Sequence, residues 1–297
     1  VPTAPANDGP GSGCRSLVRW GPLEVGDVAD PGCLDAVFRR HRPDAVMHFA
    51  AVASVAESVG NPGLYYRTNV GGTLSLLDAM RRHGVDALVF SSSCAVYGSP
   101  DVVPIVEEHP QAPVNPYGAS KLIAERILAD FDRAHGIRSI SLRYFNASGA
   151  DPDCEAGETH DPETHAIPLL LMAATGRLPR FDIYGTDYPT PDGSAVRDYV
   201  HVSDLAEAHV GALDYLLGGG HSTAVNLGTG TGTSVLQLVD AVERVTGRPV
   251  PRSIEPRRPG DPPVLVADPG KAGTLLGWHP RFSELADIIA TAHAWMD

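Results

Sequence analysis

Two stretches decide the reading of this chain: Ala87-Leu88-Val89-Phe90-Ser91-Ser92-Ser93, and further on Asn115-Pro116-Tyr117-Gly118-Ala119-Ser120-Lys121. The first is an apolar run of strand length that ends in serines. The second opens a helical run from Pro116 to Ala134 in which Tyr117 and Lys121, four apart, share one helix face. An ammonium beside a phenol favours phenolate, so the spacing predicts a tyrosine pKa drawn from about 10 toward neutrality. A tyrosine so tuned can take a proton from a hydroxyl while the carbon beneath it is oxidised. A serine hydroxyl can share that proton. Outward from these stretches the pattern alternates: Ala45 to Phe49 apolar, Tyr65 to Arg82 helical, Ala87 to Ser91 apolar, Ser139 to Tyr144 apolar again. Such alternation marks βαβ units, so the expected class is α/β with a parallel sheet covered on both faces. His48-Phe49-Ala50-Ala51, Ser91-Ser92-Ser93 and Arg143-Tyr144-Phe145-Asn146 fall at strand carboxyl ends, where open parallel sheets bind ligands.

After Asn146 the texture turns polar and rich in Pro and Gly, which predicts a smaller second region. The expected division is 1–145 and 146–297. The boundary is soft, because Val196 to Val202 and Ala224 to Leu227 could return to the main sheet. At 297 residues and 43% hydrophobic content the chain can bury a substantial core. Its net charge of -13, from 36 acidic against 23 basic residues, argues against nucleic acid or an anionic membrane as partner. No apolar run reaches membrane-spanning length, and the opening segment lacks a signal-peptide pattern, so a cytoplasmic location is expected. Cys14, Cys33, Cys94 and Cys154 form no CxxC pair, so neither zinc nor a disulfide framework is expected of them. His160, His165 and His201 show no HxxxH or HxH spacing on one face, and no metal is expected.

Together HFAAVASVAESV, SSSCAVYG, NPYGASK, LRYFNASGADP, DYPTPDGSAVRDYVHVSDLA, NLGTGTGTSV and RRPGD resemble, in order, the segments of extended short-chain dehydrogenases/reductases, and within them the UDP-glucose 4-epimerases. That resemblance implies a Rossmann-like domain holding NAD, a smaller nucleotide-sugar region, and transient oxidation of a UDP-sugar at C4. It implies Ser93, Tyr117 and Lys121 as catalytic residues. Cofactor contacts would come from Asp27, Val28, Phe49, Ala50, Ala51, Ala53, Thr68, Ser91, Tyr117, Lys121 and Tyr144. Substrate contacts would come from Ser93, Tyr117, Asn146, His165, Ala166, Tyr184, Arg197, Arg258 and Asp261. Arg197 and Arg258 offer planar forks for a diphosphate that an acidic protein otherwise repels. A homodimer through the helices Tyr65 to Arg82 and Pro116 to Ala134 is also implied.

Several departures bear on this. Dehydratases of the wider family carry an Asp-Glu pair after the serine or threonine, where this chain has Cys94-Ala95, which disfavours elimination of water. Ala53 stands where many relatives place a lysine. Leu265 stands at the position that gates room for a C2 N-acetyl group, so N-acetylhexosamine or pentose substrates stay open. The GxxGxxG turn that opens such folds is absent before Asp27, and Gly9-Pro10-Gly11-Ser12-Gly13 does not replace it. The two readings of that absence are a chain lacking roughly 30 residues upstream, or a binding-only relative that has lost NAD. Gly228-Thr229-Gly230-Thr231-Gly232 follows a strand but lacks GxGxxG spacing and reads as a structural turn.

Overall fold

The structure is a computed structural model and describes residues 20–258 and 260–297. The Gly9–Gly13 segment lies outside the described residues. Elements run in the order α1 (Pro31–His41), β1 (Val46–His48), α2 (Val55–Gly60), α3 (Pro62–Tyr65), a π-helical turn (Tyr66–Gly71), α4 (Gly72–His83), β2 (Ala87–Ser93) and a 3-10 turn (Cys94–Tyr97). Then come α5 (Pro116–His135), β3 (Arg138–Tyr144), β4 (Asn146–Ser148), α6 (Ala166–Ala174), β5 (Phe181–Tyr184), β6 (Val196–Arg197), β7 (Tyr199–His201) and α7 (Val202–Leu217). The chain ends through β8 (Thr223–Leu227), β9 (Thr233–Ser234), α8 (Val235–Thr246), β10 (Arg252–Glu255), β11 (Val264–Leu265), α9 (Gly270–Leu276) and α10 (Leu285–Met296).

The main sheet has the order β1-β2-β3-β8, and β1 pairs with β2 in parallel, Val46 opposite Leu88 and His48 opposite Phe90. Of the two segments expected to return to this sheet, only the one within β8 does so. Residues 196–201 instead form β6, which joins β9 and β11, and β7, which pairs with β4. The break falls at Asp198, whose buried carboxylate accepts the backbone N–H of Thr229 at 2.8 Å, Gly230 at 3.0 Å and Ala267 at 3.1 Å. The Gly228–Gly232 run is therefore a turn wrapped around a carboxylate, as expected of a structural element. A Cβ on Gly228 would sit 2.4 Å from an Asp198 oxygen, which only glycine avoids.

The residues group into two compact units: one of residues up to Gly98, Pro110–Arg143 and His209–Val225, the other of Ser99–His109, Tyr144–Ala208 and Asn226–Asp297. The first has a core of Val28, Leu34, Phe38, Leu76, Leu77, Met80, Leu88, Phe90, Ala124 and Leu128. The second buries Ile167, Leu170, Leu171, Ile183, Leu238, Val239, Val242, Ile288 and Ile289. The helix expected from Tyr65 to Arg82 is interrupted by the π-helical turn. This widening carries Asn69, whose amide donates to the Val52 carbonyl at 3.0 Å and to Ser120 Oγ at 2.9 Å, while its oxygen accepts from Val52 N–H at 2.9 Å. No residue pattern marks such a turn in the sequence, because it is a single widened turn within an otherwise continuous helical run.

Candidate active site

In the first unit the site is assembled by α5 and the end of β2. Asn115 caps α5 by accepting the Gly118 N–H at 2.9 Å, and Pro116 supplies the first helical residue. Gly118 lets the helix start press on the 3-10 turn, since a Cβ there would lie 2.4 Å from the Ala95 carbonyl oxygen. This close approach brings Tyr117 beside Ser93, near enough for the serine to oppose the rise of the phenol's pKa. Ser93 Oγ also accepts the Ala95 N–H at 3.2 Å. The Tyr65 ring meets that of Tyr117 edge-on at 6.4 Å, and Tyr65 is itself fixed by donating to the Ser54 carbonyl at 2.6 Å.

One turn along, Lys121 is buried and donates to the Ser91 carbonyl at 2.7 Å, with its ammonium 5.0 Å from the Phe90 ring centroid and 6.0 Å from that of Tyr117. Here the sequence expectation is corrected. Desolvation raises the Tyr117 phenol to about 12, with Ser93 working against it. Burial likewise depresses Lys121 to about 8, with Glu125 opposing. The ammonium points at the Ser91 carbonyl and lies against the ring, so its charge does not offset the burial of the hydroxyl.

Further residues support this arrangement: Glu125, and with it Ser92, Tyr97 and Arg143, which lie in the segments quoted above but carried no assigned role there. Glu125 is the next residue on the Tyr117–Lys121 face. It receives Arg143 through two bonds, Nε to Oε1 at 3.0 Å and Nη2 to Oε2 at 2.6 Å, and Ser92 donates to the same carboxylate. Arg143 Nη1 also donates to the buried Tyr97 hydroxyl at 2.8 Å. The signal for Glu125 was the i, i+4, i+8 spacing 117-121-125. Tyr97 lay within SSSCAVYG with no role attached, and nothing local marked Asn69.

The remaining cofactor candidates line the same unit, apart from Tyr144, which is half-buried at the end of β3. Phe49 is exposed and its ring lies 4.7 Å from His209, Ala50 and Ala51 are half-buried, and Ala53 is exposed. Thr68 lies in the π-helical turn, where its carbonyl accepts the Gly72 N–H. Asp27 is exposed and turns its carboxylate to the Ala29 N–H at 2.8 Å. Val28 is a core side chain packed on Gly72, which leaves only its backbone for a ligand.

The second unit carries the other candidates. Arg258 stacks on Tyr184, its guanidinium carbon 3.8 Å from the ring centroid. Arg197 is ion-paired with Asp261 and also donates to the Val196 carbonyl at 2.8 Å. The Asp261 N–H donates to the Arg258 carbonyl at 3.2 Å, so one turn joins the two pairs. Asn146 begins β4 and donates its N–H to the Asp198 carbonyl at 2.9 Å. His165 precedes α6, Ala166 is the first residue of that helix, and the His165 ring nitrogen Nδ1 engages Glu158.

Residues 5–228 match the model of the NAD dependent epimerase/dehydratase family. The UDP-glucose 4-epimerase of Rhizobium meliloti (strain 1021) is 54% identical over 284 residues, 96% of this chain and 86% of that protein. The chain belongs to the NAD dependent epimerase/dehydratase family. Among solved structures, the UDP-glucose 4-epimerase of Brucella ovis in complex with NAD superposes with a TM-score of 0.91 at 55% identity, covering 93% of this chain and 85% of that one. That of Bifidobacterium longum in complex with NAD+ and UDP gives 0.87 at 41% identity, covering 92% and 82%.

The residues of this epimerase/dehydratase-family chain fit such a dinucleotide. A buried ammonium has three protons to place. Among the described residues the Ser91 carbonyl takes one of those of Lys121, which leaves donors for ribose hydroxyls. The loop after β1 offers small side chains at Ala50 and Ala51, and its backbone is clamped by Asn69 at Val52. A pinned loop at a strand carboxyl end is where the fold class places a pyrophosphate.

Proposed function

We propose that this protein is an NAD-dependent UDP-sugar 4-epimerase that interconverts UDP-glucose and UDP-galactose through a transient 4-keto sugar. The observation that carries the reading is the placement of Tyr117 and the buried Lys121 one turn apart on α5, with Ser93 beside the phenol. NAD, when bound, supplies the hydride acceptor and donor. Tyr117 Oη takes the proton from the C4 hydroxyl and returns it after the sugar has turned, the same group serving as base and then acid; the phenolate this needs would be favoured over the buried phenol by the positive charge that NAD+ brings to the site. Ser93 holds the C4 oxygen and shares that proton. Lys121 grips the cofactor ribose. Asp27, the Val28 backbone, Phe49, Ala50, Ala51, Ala53, Thr68, Ser91 and Tyr144 complete the cofactor contacts.

Asn146, His165, Ala166, Tyr184, Arg197, Arg258 and Asp261 hold the UDP moiety. The Arg197–Asp261 pair presents a neutralised fork, and Arg258 above Tyr184 keeps its cation aligned by the ring. The division into 1–145 and 146–297 describes roles, cofactor and then substrate. We place the protein in the cytoplasm as a homodimer, for which the exposed Tyr66 and Leu74 at and near α4 provide apolar surface; sedimentation velocity tests this. No helix among the described residues is long and apolar enough to cross a membrane.

The test is Tyr117→Phe. With UDP-glucose as substrate we expect turnover to fall by at least about 10²–10⁴-fold, the worth of a positioned acid–base group, while UDP binding measured by calorimetry is retained. Undiminished turnover would remove Tyr117 from its role. An assay with UDP-N-acetylglucosamine beside UDP-glucose measures the breadth that Leu265 permits.

A further inference from the structure

The segment Glu158–His165 gathers four side chains that the epimerase reading does not use together. One potential ligand atom each from Glu158, His160, Glu163 and His165 lies within 4.8 Å of all the others. His160 Nδ1 is 2.8 Å from Glu158 Oε1 and 3.8 Å from Glu163 Oε1. His165 Nδ1 is 3.9 Å from Glu163 Oε1 and in close contact with Glu158 Oε1. A tetrahedral ion with bonds of about 2.0–2.1 Å to nitrogen and oxygen has ligand–ligand edges of about 3.4 Å. The distances found here fall on both sides of that edge.

The scaffold is fixed around the cluster. Glu163 Oε1 accepts the Thr164 and His165 N–H groups at 2.6 and 2.8 Å, and its side chain is only 9% exposed, so its direction is set by the backbone. Glu158 is anchored through its carbonyl, which accepts Trp295 Nε1–H at 3.0 Å, and Gly157 permits this because a Cβ there would meet the indole at 2.3 Å. Both imidazoles are more than half exposed, which gives an ion a route in. The rings stand edge to face at 5.3 Å with Nδ1 turned inward on each.

We propose that Glu158, His160, Glu163 and His165 form a binding site for a divalent transition-metal ion of the zinc class. Two imidazoles with two carboxylates favour Zn2+, Co2+ or Ni2+ over Mg2+ and Ca2+, which take oxygen ligands. The ion ties the segment that precedes α6. His165 uses Nδ1 here, so Nε2 is the nitrogen that remains for its proposed contact with the nucleotide sugar.

The experiment uses tag-free, chelator-treated protein with its NAD retained, titrated with Co2+ and followed by visible absorption and calorimetry. We expect one Co2+ per chain with the intense bands of a tetrahedral site, displaced by one equivalent of Zn2+. In His160→Ala and in Glu158→Gln, each first checked for bound NAD as proof of folding, affinity should fall by at least about 10–100-fold, the range that loss of even an outer partner produces. Absence of a tetrahedral Co2+ spectrum in the parent protein, or binding that neither substitution weakens, would overturn the proposal.

Discussion

An ammonium at 3% exposure loses most of its hydration, and one carbonyl with two ring faces returns only part of it, so Lys121 is held down to about 8. An unfolded lysine keeps its proton to about 10.4. Between these values the unfolded chain binds more protons, so stability rises with pH there, and below about 8 the full penalty applies. Lys121→Met should therefore stabilise NAD-free protein at neutral pH by up to about 3 kcal/mol, at about 1.4 kcal/mol for each pH unit, while NAD retention is lost. A lower melting temperature in thermal scans would contradict this account. His48 makes the complementary case. Burial, helped by the Lys121 charge, lowers it to about 3, and its Nε2 lies 3.1 Å from Thr73 Oγ1. The unfolded imidazole takes a proton below about 6.5, so stability should decline as pH falls from there toward 3, with a limiting slope of about 1.4 kcal/mol per pH unit. His48→Leu should flatten the difference between urea midpoints at about pH 7 and about pH 5, which bracket that onset; an unchanged difference would assign the acid sensitivity elsewhere. Thr73 keeps a partner in that variant, because its hydroxyl donates to the Asn69 carbonyl at 2.6 Å.

At the scale of elements, α5 is more than a carrier of Tyr117 and Lys121. Its third same-face residue, Glu125, closes a bidentate pair with Arg143 of β3, with side-chain exposures of 9% and 4%. Breaking a buried pair strands the remaining charge, so Glu125→Ala should cost about 3–5 kcal/mol, measured as a shifted urea midpoint. A cost below about 1 kcal/mol would fit a surface pair instead. What the sequence disclosed follows the same division. Strands β1, β2 and β3, helix α5 and the Ser93–Tyr117–Lys121 set were legible because each rests on period, spacing or a motif within one segment. The Arg143–Tyr97 contact, the Asn69 clamp in the π-helical turn and the Asp198 anchor of the Gly228–Gly232 turn join residues far apart in sequence, and no local pattern encodes them. The direction of the Tyr117 shift was misread because spacing places an ammonium near a ring but says nothing about which way its charge points or how much water is lost. From their spacing no metal is expected of His160 and His165, because the segment lies outside regular structure, apart from the residue that caps α6, and neither helical nor strand spacing shows that Glu158, His160, Glu163 and His165 come together.

For the whole molecule the governing feature is that the two compact units are interleaved along the chain. The main sheet takes its fourth strand, β8, from residues 223–227, and the first unit is completed only by His209–Val225. Residues 1–145 expressed alone lack that strand and should fail to give a cooperative unfolding transition, whereas the full chain gives one; a cooperative melt of the fragment would show that β8 is dispensable. The same interleaving sets a schedule on the ribosome. From Arg143 to Val225 the chain advances 82 residues (225 minus 143), which at about 5–20 residues per second amounts to a wait of roughly 4 to 16 s. During that interval the nascent first unit has β3 unpaired along one side, a stage at which chaperone occupancy and self-association of neighbouring nascent chains should peak.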